Sequence, residues 1–219
     1  MPLHELPLDE LVELCRQANH NFLHSLPYDE RYPLELFRRA LLVGDGDALD
    51  ELHRLYFPQF LRWVRSHPAY SSTDETDENF ASEAFWRFYN AVSGGRFNGF
   101  KSMGAIMTYA KLCCGTAVGQ YARDHKNTDL PLLDTGLPDK GDPLAYLHGE
   151  QLWNRICKVL RTARQRHLAY LVLVLGMKPA EIVKAYPEEW TDERSVSIAL
   201  FRIRKLLRAD PEIRNWKNE

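Results

Sequence analysis

Apolar positions recur along this chain at intervals of three and four, the period of a helix with one buried face. Leu8, Leu11, Val12, Cys15 and Ala18 share such a face over residues 8–24, before Pro27 and Pro33 mark a linker. A second helix is predicted over 34–43, stopping at Gly44. Asp45 or Asp47 caps the next, which turns Ala48, Leu49, Leu52, Leu55 and Tyr56 inward. Pro58 is expected to kink or divide that helix before Phe60, Leu61 and Val64. After a polar stretch from Ser66, a helix over 77–92 carries Phe80, Ala84, Phe85 and Phe88 as its stripe. The segment SGGRFNGFKS reads as a loop, and a long helix follows from Met103 to about Arg123. No stretch alternates with period two, so an all-α fold is expected.

The periodicity lapses at residue 126. Residues 126–146 hold three prolines and two glycines without an apolar face, so 126–150 is expected to be a flexible linker. Helices resume near Leu152, which aligns with Ile156 and Leu160; Leu168, Leu171 and Val172 form the next apolar set. A short helix over 178–186, a turn around Pro187 and a longer helix over 193–208 close the pattern. The layout is two small helical domains, 34–125 and 151–219, with an N-terminal helical extension over 1–33.

Charge sharpens this division. Residues 1–126 hold 13 Lys/Arg and 17 Asp/Glu, residues 127–150 hold 1 and 5, and residues 151–219 hold 14 and 8. The net charge of −2 therefore conceals a basic C-terminal part, the part suited to a polyanion. Apolar residues at 45 % and charged residues at 26 % exclude a collagen or a disordered tail. No apolar run reaches the ~20 residues of a membrane span. The acidic N-terminus is unlike a signal peptide, so a cytoplasmic location is expected.

Little in the chain points to catalysis. It contains no G-x-x-x-x-G-K-[ST], G-x-S-x-G, H-E-x-x-H or G-x-G-x-x-G, and a non-enzymatic protein without cofactor or metal is expected. His20 and His24 have a metal-capable spacing but no third ligand at a partnered position. Cys15, Cys113, Cys114 and Cys157 lack C-x-x-C spacing and read as reduced thiols.

The strongest signal is C-terminal. A short helix beginning at Pro179, a turn and the helix SVSIALFRIRKLLR have the order of a helix–turn–helix, whose second helix enters the major groove. Val196, Leu200, Ile203 and Leu207 fall on its buried side. Ser195, Ser197, Ile198, Phe201, Arg202 and Lys205 are the candidate DNA contacts.

These residues also carry a resemblance. Ser195, Val196, Leu200, Arg202, Arg204, Leu207 and Arg208 match the recognition-helix pattern T-V-x-x-x-L-x-R-A-R-x-x-L-R, with Ile203 in place of Ala. Glu181, Ile182 and Val183 match the preceding E-I-A. Gly44, Asp45, Ala48, Leu49, Leu52, His53 and Tyr56 follow the family's opening pattern, with Pro58 one residue late. Asn79, Ser82, Glu83, Phe85, Arg87 and Tyr89 align with D-x-x-Q-E-x-F-x-R-x-W; Tyr109, Ala110, Cys113, Cys114, Thr116, Gln120 and Arg123 align in spacing with the helix beyond it. In this order the chain resembles the small two-domain, extracytoplasmic-function type of bacterial RNA polymerase sigma factor.

The resemblance implies an alternative sigma factor that binds core RNA polymerase and promoter DNA and is held by an anti-sigma-type inhibitory protein. It places polymerase docking at Asn79, Ser82, Glu83 and Arg87. It places −10 element capture at Arg96, Phe97, Asn98, Lys101 and Arg123, and −35 reading in the C-terminal helices. The chain departs from the pattern too. Asn79, Ser82, Thr116 and Gln120 replace the family's Asp, Gln, Asn and Asp. Glu188, Glu189, Asp192 and Glu193 put acid beside the recognition helix, in a turn about three residues longer than usual. The alternative is a sigma-like interaction module or adaptor that has lost promoter reading.

Overall fold

The structure is a computed structural model that describes residues 2–24, 26–126 and 145–215. Its α-helices are α1 (Leu8–Leu23), α2 (Arg31–Arg38), α3 (Gly46–Arg65), α4 (Asp77–Val92), α5 (Met103–Lys126), α6 (Ala145–Val159), α7 (Ala163–Ala169), α8 (Pro179–Ala185), α9 (Glu193–Ala209) and α10 (Pro211–Asn215). No strand occurs among the described residues, so the fold is all-α.

Local chemistry explains the helix ends. Asp45 accepts a hydrogen bond from the Ala48 amide at 3.1 Å, Thr76 one from Asn79 at 3.2 Å, and Thr162 one from Gln165 at 3.2 Å; each satisfies an orphan amide of a first turn. α2 runs on through a π-helical turn, Arg39–Val43, and stops where Gly44 takes φ 79°, a left-handed conformation that costs glycine little. A second π-helical turn, Tyr170–Val174, extends α7 and ends before Gly176 at φ 73°.

Four details differ from the sequence expectations. α2 begins at Arg31, three residues early, because Pro33 sits within its first turn, where a missing N–H costs nothing. Pro58 does not divide α3: the apolar face Leu52, Tyr56, Phe60 and Trp63 continues past it, with the proline ring on the exposed side. The 93–102 loop contains a 3₁₀ segment, Gly94–Gly99. Helix covers the two ends of the expected linker, Lys126 and Ala145–Glu150, while 127–144 lie outside the described residues.

α5 is the centre of the molecule, packed between α4 and α6. Trp153 of α6 lies against Gly104 of α5, leaving no room there for a Cβ. Three donors from the first half reach successive carbonyls at the end of the second π-helical turn. Lys111 Nζ donates to Leu173 O at 2.7 Å, Trp63 Nε1 to Val174 O at 2.6 Å, and Gln59 Nε2 to Leu175 O at 3.1 Å. One apolar cluster consequently runs from Leu11 to Leu207. The two halves bury surface against each other.

Candidate functional site

The C-terminal surface is built on α8 and α9, which pack together. Pro179 opens α8, and the Glu181 carboxylate accepts from the Lys178 amide at 2.7 Å. Glu181 also pairs with Arg62 of α3, tying α8 to the first half. Between α8 and α9, the Arg164 guanidinium lies 4.2 Å from the centre of the Trp190 ring and donates to Glu189 O. Asp192 caps α9 by accepting from the Ser195 amide at 2.7 Å. That bond holds the Asp192 carboxyl below its usual pKa, as expected for an anion at a helix N-terminus.

α9 is sharply two-sided. Val196, Leu200, Ile203 and Leu207 are buried, as the spacing predicts. Ser197, Ile198, Phe201, Arg202 and Lys205 are exposed, and Ser195 is half-buried beside its capping bond. Arg194, which the sequence reading passed over, stands one turn before Ile198 on the same outward ridge. Phe201 is 69 % exposed, the largest exposure of any sizeable apolar side chain among the described residues.

The first half presents a second surface, the outer face of α4. Asn79, Ser82 and Glu83 are exposed there. Arg87 is half-buried: it pairs with Glu83 at 2.6 Å and donates to Gln120 of α5 at 3.2 Å. Trp86, missed from sequence, stands on this face at 56 % exposure, edge-to-face with Tyr89 at 5.5 Å. Its signal was its place outside the stripe Phe80, Ala84, Phe85, Phe88, at three residues from Glu83 and four from Ser82.

The 93–102 segment does not match its expected role in full. Asn98 and Lys101 are exposed, with Lys101 Nζ donating to Asn98 O at 2.9 Å, and Arg96 is half-buried. Phe97 is 6 % exposed, with its ring 6.1 Å from that of Phe100, which is also buried. A ring so placed supports the loop and has no open face for a base. Arg123 is exposed, but twenty residues along α5 from Met103, about 30 Å at 1.5 Å per residue. It therefore stands on the helix side of that candidate set, apart from the 93–102 loop.

Comparison with known proteins adds no relative. No family profile, curated protein or solved structure matches this chain.

Between the halves lies a cleft of about 960 Å³, walled by Phe22, Tyr56, Trp153 and Tyr170 with Asn19 and His167 among its polar groups. Among the described residues no group of three or more His, Cys, Asp or Glu could hold a metal. No described helix is long and apolar enough to cross a membrane.

Proposed function

We propose that this chain is a sigma-type initiation factor that binds core RNA polymerase and directs it to promoter DNA. The observation that carries the reading is the outward ridge of α9, where Arg194, Arg202 and Lys205 flank an exposed apolar pair on the face opposite the buried line. A rigid helix with its apolar side locked into the body and its cationic side free is the element that enters a major groove. In this reading α8, the intervening turn and α9 form a helix–turn–helix that reads the −35 element. The α4 face docks on polymerase, with Trp86 joining Asn79, Ser82 and Glu83; exposed aromatics at the centre of a polar face are the usual anchors of such contacts. Arg96, Asn98 and Lys101 contact the −10 strand, while Phe97 holds their loop in place. The resemblance in motif order over 34–125 and 150–210 supports the assignment, as does the basic charge of residues 151–219. An inhibitory protein that covers both surfaces would regulate it, and a cytoplasmic location follows from the partners.

The test is co-purification of the full chain with core polymerase, followed by sequencing of the bound DNA. A shared sequence element is the expected outcome; recovery of polymerase with no enriched sequence rejects promoter reading. A second reading, an adaptor that docks without reading DNA, is favoured by the burial of Phe97 and by the acids Glu188, Glu189, Asp192 and Glu193 beside α9. That experiment separates the two.

A further inference from the structure

The ridge of α9 carries a chemical signature beyond positive charge. Residues 194, 198, 201, 202 and 205 succeed one another at helical spacing, so Arg194, Ile198, Phe201, Arg202 and Lys205 form one line along the helix. Ile198 is 44 % and Phe201 69 % exposed, so neither is packed into the core. Large apolar side chains held in water beside cations mark a surface that meets a partner. The charge selects that partner: no acidic residue lies between Glu193 and Asp210, and Arg204 and Arg208 on the flank are exposed as well. A polyanion with an apolar feature fits; an uncharged apolar protein groove would leave the cations unpaired.

We propose that Ile198 and Phe201 read the C5-methyl groups of thymines in duplex DNA, while Arg194, Arg202 and Lys205 hold the flanking phosphates and base edges. The proposal rests on the reading of α9 as the DNA-facing helix. In the major groove thymine alone presents an apolar group; the other edges are donors and acceptors that an apolar side chain would bury unpaired. Ile198 and Phe201 are separated by a rise of about 4.5 Å, against about 3.4 Å per base step, so they reach adjacent or next-but-one base pairs. The acids at the start of α9 set the docking angle. Asp192 and Glu193 are exposed at its first turn and repel phosphate, so the middle of the helix, from Ile198 to Lys205, lies deepest in the groove. A purely cationic helix would bind any duplex, whereas this pair makes thymine-containing steps the ones that exclude water best.

The experiment replaces thymine by deoxyuridine, one position at a time, in a duplex recovered with the full chain and core polymerase. Each replacement deletes one methyl and nothing else. Two nearby positions are expected to weaken binding about fourfold each, the worth of one buried methyl. Ile198→Ala and Phe201→Ala should each abolish the sensitivity at one of these positions while leaving the thermal transition unchanged, because both side chains are exposed. Arg202→Ala should weaken every duplex and preserve the deoxyuridine pattern. Binding that ignores deoxyuridine throughout, or sensitivity that survives in both apolar variants, overturns methyl reading while DNA binding stands. A complex with polymerase that enriches no duplex removes the underlying reading and this proposal with it. DNA binding unchanged in both apolar variants, with loss of a protein partner instead, makes the ridge a protein-docking surface and equally overturns it.

Discussion

Single residues here divide by what surrounds them more than by their type. Burial pushes the thiols of Cys15 and Cys113 up to about 12 and raises Cys114 well above its ordinary value, while Cys157, half-buried, is raised as well. At pH 8 a thiol with a pKa near 12 is thiolate in only about one molecule in ten thousand, and a buried sulfur is also out of reach. Iodoacetamide at pH 8 should therefore modify Cys157 first and spare the other three until the chain unfolds; mass spectrometry showing Cys113 labelled at the rate of Cys157 would contradict its placement. Phe97 makes the same point for an aromatic ring. As a core side chain, Phe97→Ala should destabilise by about 3–5 kcal/mol in a denaturant titration. A nearly neutral effect would mean that the ring is not packed and would return it to the candidate contacts.

Helices begin where a side chain satisfies free amides, and that is testable at the first turn of α3. Asp45→Ala removes the bond to the Ala48 amide and should cost about 1 kcal/mol of stability, while Asp45→Asn keeps an acceptor and should cost less. Equal melting temperatures for the alanine variant and the wild type would show that the cap is redundant. On α4 the outward side chains Asn79, Ser82, Glu83 and Trp86 are exposed and add little to the packed core. Reversing the charge of Glu83 loosens its pair with Arg87, in which Glu83 is exposed and Arg87 half-buried, a pair worth about 1 kcal/mol. Under the proposed function, Glu83→Lys and Trp86→Ala should both weaken core polymerase binding in a pull-down with little change in melting. Undiminished binding by both would move docking to another surface.

At the scale of the whole molecule, the donors Gln59, Trp63 and Lys111 join the halves through carbonyls that a helix end leaves without partners. Burial lowers the Lys111 pKa from 10.5 to about 8. Below pH 8 folded and unfolded chains both hold the proton, and the folded state bears the cost of burying the charge. Between pH 8 and about 10.5 only the unfolded chain holds it, so this group makes stability rise with pH across that window. Lys111→Met removes the titration, whereas the tyrosines and cysteines titrate in both proteins and cancel. The stability of the wild type relative to Lys111→Met should therefore rise from pH 8 to 10.5 in parallel denaturant titrations. A flat difference would place Lys111 in water and the halves apart.

Much of this protein could be read before its structure. The apolar period located α1, α3, α4, α5 and α9, and it assigned Val196, Leu200, Ile203 and Leu207 to the inside and Phe201, Arg202 and Lys205 to the outside, because a helix with one wet face writes both in its spacing. Gly44 and Asp45 marked a stop and a start, because their chemistry is local. Where each face found its partner was decided in three dimensions. Phe97 stands in a glycine-rich stretch without a period, so only the Phe100 ring beside it, itself packed against Tyr109, could say that it turns inward. Lys101 lies just before α5 and Arg123 near its far end, a separation that the motif order alone does not reveal. The union of the halves depends on Trp63, Lys111 and Trp153 meeting groups tens of residues away, and periodicity reports that a face is buried without naming what buries it.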